Sequence, residues 1–461
     1  MNLTNKVFKK RCNGAVLVIS MIFILIFSAL AVALAALSGT NVQVANNQHK
    51  ANSALATAQS GHEIVHFWLS CVSIPGTTPQ NQKFSMVTSN LQSLLSASGI
   101  TIITDAAGIT IPIVSLDTVT GKYFYASITP LDVNTFRVDV TGVANSITRT
   151  IRGVYEFGTR ANNVFNYGVA TKGPLSLAGN IELEGVNVSV EASVYIESES
   201  SNLALSIIGN SQIAGDVSIV NPIANVFLQG GQAGIGGATG DEAIEDHVTI
   251  GVPPSEFPTP DPTCFSGFVT DDINSHTNTS DSVTYENVRI AAGTNPNFTG
   301  NVTLKGIIYV EPPNVVTFSG NTNVTGIIVG NGSIADNSGV NQINFLGGVT
   351  SASVNQLPDE PQFIGMKDKT GTFVMAPGFS VSFGGNFHTL NGAVAANGVT
   401  FFGNAGGTIM GSILNYSDEQ MILTGNSDLY FNRSGVEKVP AGFIPEFVLR
   451  YIPTSYSEIA I

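Results

Sequence analysis

The 461-residue sequence predicts a mainly β protein carried on a long N-terminal α-helix: a small α+β unit over residues 73–160, then a parallel β-helix of about 20 residues per coil over 161–436. Three observations predict it. An uninterrupted apolar run, Ala15 to Leu37, passes into a proline-free stretch reaching roughly Cys71. Residues 122–157 alternate apolar and polar between short connections. From about Val164 onward a Gly-Asn unit recurs at regular intervals.

The apolar run comes first. At about 1.5 Å per residue, Ala15 to Leu37 extends roughly 34 Å, enough to cross a hydrocarbon core of about 30 Å. A secretory signal peptide has a shorter apolar region with its cleavage site behind it, so a spanning helix is the better reading. The basic residues Lys6, Lys9, Lys10 and Arg11 all precede the run. This places the N-terminus in the cytoplasm and exports the bulk of the chain through a single pass. The chain carries a net charge of −14, and without its basic leader the exported part is more acidic still, which argues against nucleic acid as a partner.

Beyond Leu37 the helical pattern continues over Thr40 to Trp68, with Val44, Leu55, Ile64 and Phe67 forming the expected stripe. Gly39 and Gly61 weaken it by about 1 kcal/mol each relative to Ala. Residues 15–72 therefore read as one helix, half in lipid and half in water.

Within 73–160, Phe84, Val87, Leu91, Leu94 and Leu95 keep helical spacing up to Gly99. Strands Lys122 to Thr129, Thr135 to Thr141 and Ser146 to Phe157 follow, the last after a turn at Gly142 to Asn145. Connections this short make an antiparallel meander.

The remaining chain repeats. Gly179-Asn180, Gly209-Asn210, Gly300-Asn301 and Gly320-Asn321 each have an apolar residue four positions after the Gly and a second Gly two further on, with weaker copies at Gly330, Gly385, Gly403 and Gly425. A short strand bounded by glycine corners, stacked on its neighbours with asparagine ladders, accounts for the pattern. Val252 to Ser282, with five prolines, and Leu357 to Gly378 read as loops leaving the stack. The tail, 437–461, is expected to cover the open edge of the last coil.

The string Lys9-Lys10-Arg11-Cys12-Asn13-Gly14, followed by Ala15-Val16-Leu17-Val18-Ile19-Ser20-Met21-Ile22-Phe23, resembles the leader and N-terminus of type IV pilins, and of PilX-type minor pilins in particular. The resemblance covers about the first 70 residues. It implies a leader, residues 1–14, that a prepilin peptidase cuts on the cytoplasmic side between Gly14 and Ala15, with N-methylation of Ala15. It also implies packing of the N-terminal helix against other pilin-like subunits, and it agrees with a meander laid on the helix. Ile19 stands at the fifth mature position, where major pilins carry glutamate. A buried amine needs an opposite charge, so a subunit without that carboxylate suits a tip, initiating or low-copy position, as in PilX-type minor pilins and the capping pseudopilins of type II secretion.

Other residues invite chemical readings. His62-Glu63-Ile64-Val65-His66 matches H-E-x-x-H, in which two histidines on one helical face hold zinc. No third ligand is evident, so packing beneath the meander is preferred; no catalytic residue, metal or cofactor is assigned, and His62 and His66 remain only an adventitious zinc pair. Removal of Cys12 with the leader leaves Cys71 and Cys264, a candidate disulfide in an oxidising compartment. Asp241, Glu242, Glu245 and Asp246, and Asp271-Asp272, read first as solvated charge and second as calcium ligands. Arg289 and Arg433 are the two arginines between Val164 and Gly435, a poor supply for an enzyme acting on acidic polysaccharide.

The expectation is thus a non-enzymatic minor pilin or pseudopilin-like subunit of a type IV pilus or type II secretion-like filament, drawn from the inner membrane to the cell surface and presenting its β-helical head for assembly or adhesion. The alternative is a membrane-anchored β-helix protein that binds or cleaves surface polysaccharide.

Overall fold

The computed structural model describes residues 13–434 and 439–459, without the side chains of Asn13 and Gly14. The basic leader and Cys12 lie outside the described residues. Two compact units are present. One holds the long helix, residues 79–158 and the chain from Leu449 on; the other holds residues 74–78 and 159–448.

In the first unit a single helix runs Asn13–Ser70, through both Gly39 and Gly61. Its buried stripe is Ala54, Ala58, Val65 and Leu69, with Thr57 and His62 beside them. This corrects the expected stripe, since Val44 and Phe67 are exposed. Small residues win because the sheet presses close. A Cβ on Gly61 would meet the Phe124 ring at 2.6 Å, and one on Gly142 would meet the Ala58 backbone nitrogen at 2.2 Å. Gly142 is therefore a strand residue against the helix, and the turn falls instead on Asn145 and Ser146, both at positive φ.

A second helix, Lys83–Ser96, buries Val87, Leu91 and Leu95. The sheet orders its strands Ser73–Ile74, Glu446–Ile459, Ile147–Arg160, Thr135–Ala144, Lys122–Pro130, Gly108–Asp117 and Ile103–Asp105. The middle pairs are antiparallel, so the meander is present with two further strands before it.

The second unit is dominated by two largely parallel sheets, of fourteen and twelve strands, between which the chain passes alternately, the fourteen-stranded one ending in a short antiparallel pair. Strand order in the twelve-stranded sheet shows the path. From Val169–Thr171 it proceeds through Val194–Ile196 and Val217–Ile219 to Val248–Ile250 at one end. It resumes at the opposite end with Asp271–Ile273 and returns through Val283–Ile290, Val302–Val310, Thr322–Gly330, Thr372–Ala376 and Ala393–Ala396 to Ile413–Asn415, which pairs with Val169–Thr171. The chain starts mid-stack, winds to one end, crosses to the other and winds back.

Between the sheets, Phe298, Phe318, Phe345, Phe383 and Phe401 stack ring on ring at 4.9 to 5.0 Å, tilted by no more than 12°. Identical residues recur at one register position because parallel in-register strands place equivalent side chains a strand spacing apart, about 4.8 Å.

This path corrects two expectations. The last coil is no edge: Met421–Phe431 pairs in parallel with Leu175–Gly185 along its whole length, so the tail has no open strand to cover there. Glu446–Ile459 joins the helix-bearing sheet instead. The Pro-rich segment is likewise no excursion. It carries the chain from one end to the other while Phe257 and Phe265 bury against Tyr195, Ile307, Ile327 and Leu414, a cover that Phe363, Met366 and Phe443 extend.

Candidate assembly and membrane interface

The helix Asn13–Ser70 has two halves. From Ala15 to His49 every residue is exposed, including Val16, Phe23, Leu30 and Val42, and Ile19 is 53% exposed. The helix is long and apolar enough to cross a membrane. An all-round apolar helix of this kind needs lipid or other apolar helices around it. Gly14 and Ala15 fall in its first turn.

The H-E-x-x-H histidines lie where the helix meets the sheet of its own unit. His62 is buried, its ring edge-on to Tyr451 at 5.2 Å, and its Nε2 has no hydrogen-bond partner among the described residues. Burial holds its pKa below the ordinary 6.5, with Glu63 opposing and His66 reinforcing the shift. His66 Nδ1 lies 3.1 Å from the Tyr155 hydroxyl. Burial, assisted by Tyr451 and Glu63, pushes that phenol well above its usual range. Glu63 points outward. Among the described residues no group of three or more His, Cys, Asp or Glu is placed to hold a metal ion.

Cys71 and Cys264 are both free and exposed, so the disulfide read from their even number is not formed in this structure. Asp241, Glu242, Glu245 and Asp246 sit on a helix, Gly240–His247, where the first two complement its N-terminal dipole. Asp272 accepts two hydrogen bonds from Arg289, at 2.8 and 2.9 Å, in a cleft of about 360 Å³ that also contains Glu311. The pairing keeps the Asp272 carboxyl below its ordinary range. Arg433 is turned to main-chain carbonyls of Asn166 and Val190.

One ionisable residue escaped the pattern reading. Glu197 has its pKa pushed up to about 7, chiefly by burial, with Lys172 pulling it back and Glu199 and Asp418 adding to the rise. Lys172 in turn lies 5.4 Å over the Phe257 ring. Nothing in the local sequence signals this.

The corner glycines are explained by close approach. A Cβ on Gly320 would come within 2.1 Å of the Gly300 carbonyl oxygen, and the same holds at 2.2 Å for Gly347 on Gly320 and for Gly385 on Gly347. The asparagines after them ladder as expected on the other arm of the stack. Asn210 Nδ2 donates to Asn180 Oδ1 and Asn180 Nδ2 to Asn426 Oδ1, each at 2.9 Å.

No protein-family model and no curated protein matches the sequence. Among solved structures, the chain is similar to the competence-associated pilin ComZ from Thermus thermophilus, at 12% identity over 78% of this chain and 86% of that one, with a TM-score of 0.28, a likeness too distant to assign a shared fold.

Proposed function

We propose that this chain is a non-enzymatic, pilin-like minor subunit, inserted in the inner membrane with its N-terminus cytoplasmic and assembled through its N-terminal helix into a type IV pilus or related secretion filament. The observation that carries the reading is the helix Asn13–Ser70. One continuous element leaves its apolar half bare while its other half forms the core of a meander-bearing unit. A filament of packed apolar helices is an environment that such a bare half requires once it leaves lipid.

Ile19 supports a terminal or low-copy place, because the subunit offers no carboxylate to a neighbour's amine at that position. The two parallel sheets, with alternating passage, glycine corners and stacked phenylalanines, are read as a parallel β-helix, the head that the subunit presents for assembly or adhesion.

Mass spectrometry of the mature N-terminus tests the proposal. A chain beginning at N-methylated Ala15 is the expected result; an intact Met1 in a protein confined to membrane fractions overturns it. The second reading, a membrane-anchored polysaccharide-binding protein, is favoured only by the open groove of unpaired amides described next.

A further inference from the structure

The asparagine column behaves differently on the two arms of the parallel-sheet unit. Around the seam, Asn210, Asn180 and Asn426 satisfy one another in sequence. On the other arm, successive corners place Asn301, Asn321, Gly348 and Asn386 in the column, as the main-chain bonds Val302 N to Asn321 O, Thr322 N to Gly348 O and Val349 N to Asn386 O establish. Gly348 interrupts the ladder there. A Cβ at that position would lie 3.0 Å from Asn321 Oδ1, so the glycine leaves open the space that an asparagine side chain would fill.

That space belongs to a groove of about 510 Å³, lined by Asn301, Asn321, Asn323, Asn386, Thr350 and His388 among others. The four asparagines are exposed, and their side-chain amides make no hydrogen bond among the described residues. Each amide offers two donors and an acceptor without net charge. Apart from the His388 imidazole the lining has no ionisable side chain. The set recurs along the stack at the strand spacing of about 4.8 Å, so it forms a line rather than a point.

We propose that this groove binds a linear neutral glycan, its vicinal hydroxyls pairing with the Asn301, Asn321, Asn323 and Asn386 amides. Neutral sugars match uncharged groups that both donate and accept, whereas an acidic polymer finds neither lysine nor arginine in the lining to pair with. The proposal names a ligand class for the presented head and rests on reading that head as a display module.

The test is affinity electrophoresis of the full-length chain in detergent micelles, through gels containing dextran, β-glucan, galactomannan or polygalacturonate. Retardation by at least one neutral polymer and none by polygalacturonate is expected. The N321A/N386A double variant should lose at least tenfold in affinity. Gly348→Asn, which refills the ladder, should weaken binding while leaving the unfolding midpoint unchanged. Absence of retardation by all three neutral polymers, retardation by polygalacturonate alone, or unaltered retardation of both variants overturns the proposal. None of these outcomes depends on the state of Ala15, so the glycan site and the filament reading fail separately.

Discussion

Asn180 donates its side-chain amide to Asn426, 2.9 Å away in space and 246 residues later in the chain. The contact marks the seam where the first long strand of the stack, Leu175–Gly185, meets the last, Met421–Phe431, in unbroken parallel register. Two arms that grow outward from this seam share one hydrophobic interior, so the ends of the twelve-stranded sheet fall mid-chain, at Val248–Ile250 and Asp271–Ile273, rather than at its first and last strands.

The seam depends on Gly179 and Gly425. Gly179 has φ +124°, and a Cβ there would sit 2.3 Å from the Gly425 carbonyl oxygen; Gly425 has φ +98° and stands equally close, at 2.2 Å, to the Gly403 carbonyl oxygen. Gly179→Ala or Gly425→Ala is expected to destabilise the parallel-sheet unit by at least about 3 kcal/mol, from backbone strain and a clash with an unyielding carbonyl. Asn180→Ala, which removes exposed hydrogen bonds only, should cost about 1 kcal/mol or less. Urea unfolding followed by far-UV circular dichroism separates the two.

Phe345 stacks on Phe318 and Phe383 at 5.0 Å on either side and is almost wholly buried. Phe345→Ala should cost about 3–5 kcal/mol through the cavity it leaves. Phe345→Leu retains most of the volume but loses both ring contacts, each worth about 0.5–1.5 kcal/mol, and should fall between. Equal losses for the two variants would mean that ring stacking, not volume, dominates the ladder.

Acid should move the two units in opposite directions. Glu197 keeps its proton up to about pH 7 when folded, against an ordinary value of 4.5. The folded state therefore holds more protons between these values, and stability of the parallel-sheet unit rises as pH falls from about 7 to 4.5. His62, held below 6.5 chiefly by burial, does the reverse: the unfolded chain takes the proton more readily, so stability present above 6.5 is lost as pH falls below it. Trp68, the one tryptophan, lies 6.2 Å from Phe124 and reports the helix-bearing unit by fluorescence. Its melting midpoint should drop from pH 7.5 to 5.5 while the circular dichroism midpoint climbs. Glu197→Gln should flatten the second response and His62→Leu the first.

Much of this architecture is legible in the sequence because it depends on local pattern. The helix follows from an apolar run without proline, and Lys122–Pro130 and Thr135–Ala144 follow from alternation. Corner glycines and asparagines announce closely stacked parallel strands, since only glycine tolerates a carbonyl at 2.1 Å from where its Cβ would be. Strand order in the parallel sheets is not legible, because every Gly-Asn unit carries the same signal and any strand could pair with any other. The covered outer face had a signal that alternation obscured. Ile307-Ile308-Tyr309-Val310 and Ile327-Ile328-Val329 are continuously apolar, as strands buried on both faces must be. At the candidate sites, Cys71 and Cys264 are both free and exposed in this structure. Glu197 is invisible in the sequence because its raised pKa comes chiefly from burial, which alternation alone does not reveal, and in part from charges distant in the chain, Lys172 and Asp418.

The tail offers the sharpest test of where pattern and structure part. Tyr451 packs against Tyr155 at 5.3 Å and against His62 at 5.2 Å, and the Val154 amide donates to Ser455 Oγ at 2.7 Å. Truncation after Val448 should therefore strip a strand from the helix-bearing sheet, leave Ile147–Arg160 as a bare edge and expose His62. A loss of more than about 3 kcal/mol in the Trp68 fluorescence transition is expected, with aggregation through the uncovered strand. The circular dichroism transition of the parallel sheets should hold, since the last coil is already paired along Leu175–Gly185. A tail that served as the cap of the coil stack would give the opposite result, with Trp68 unmoved and the parallel sheets melting early.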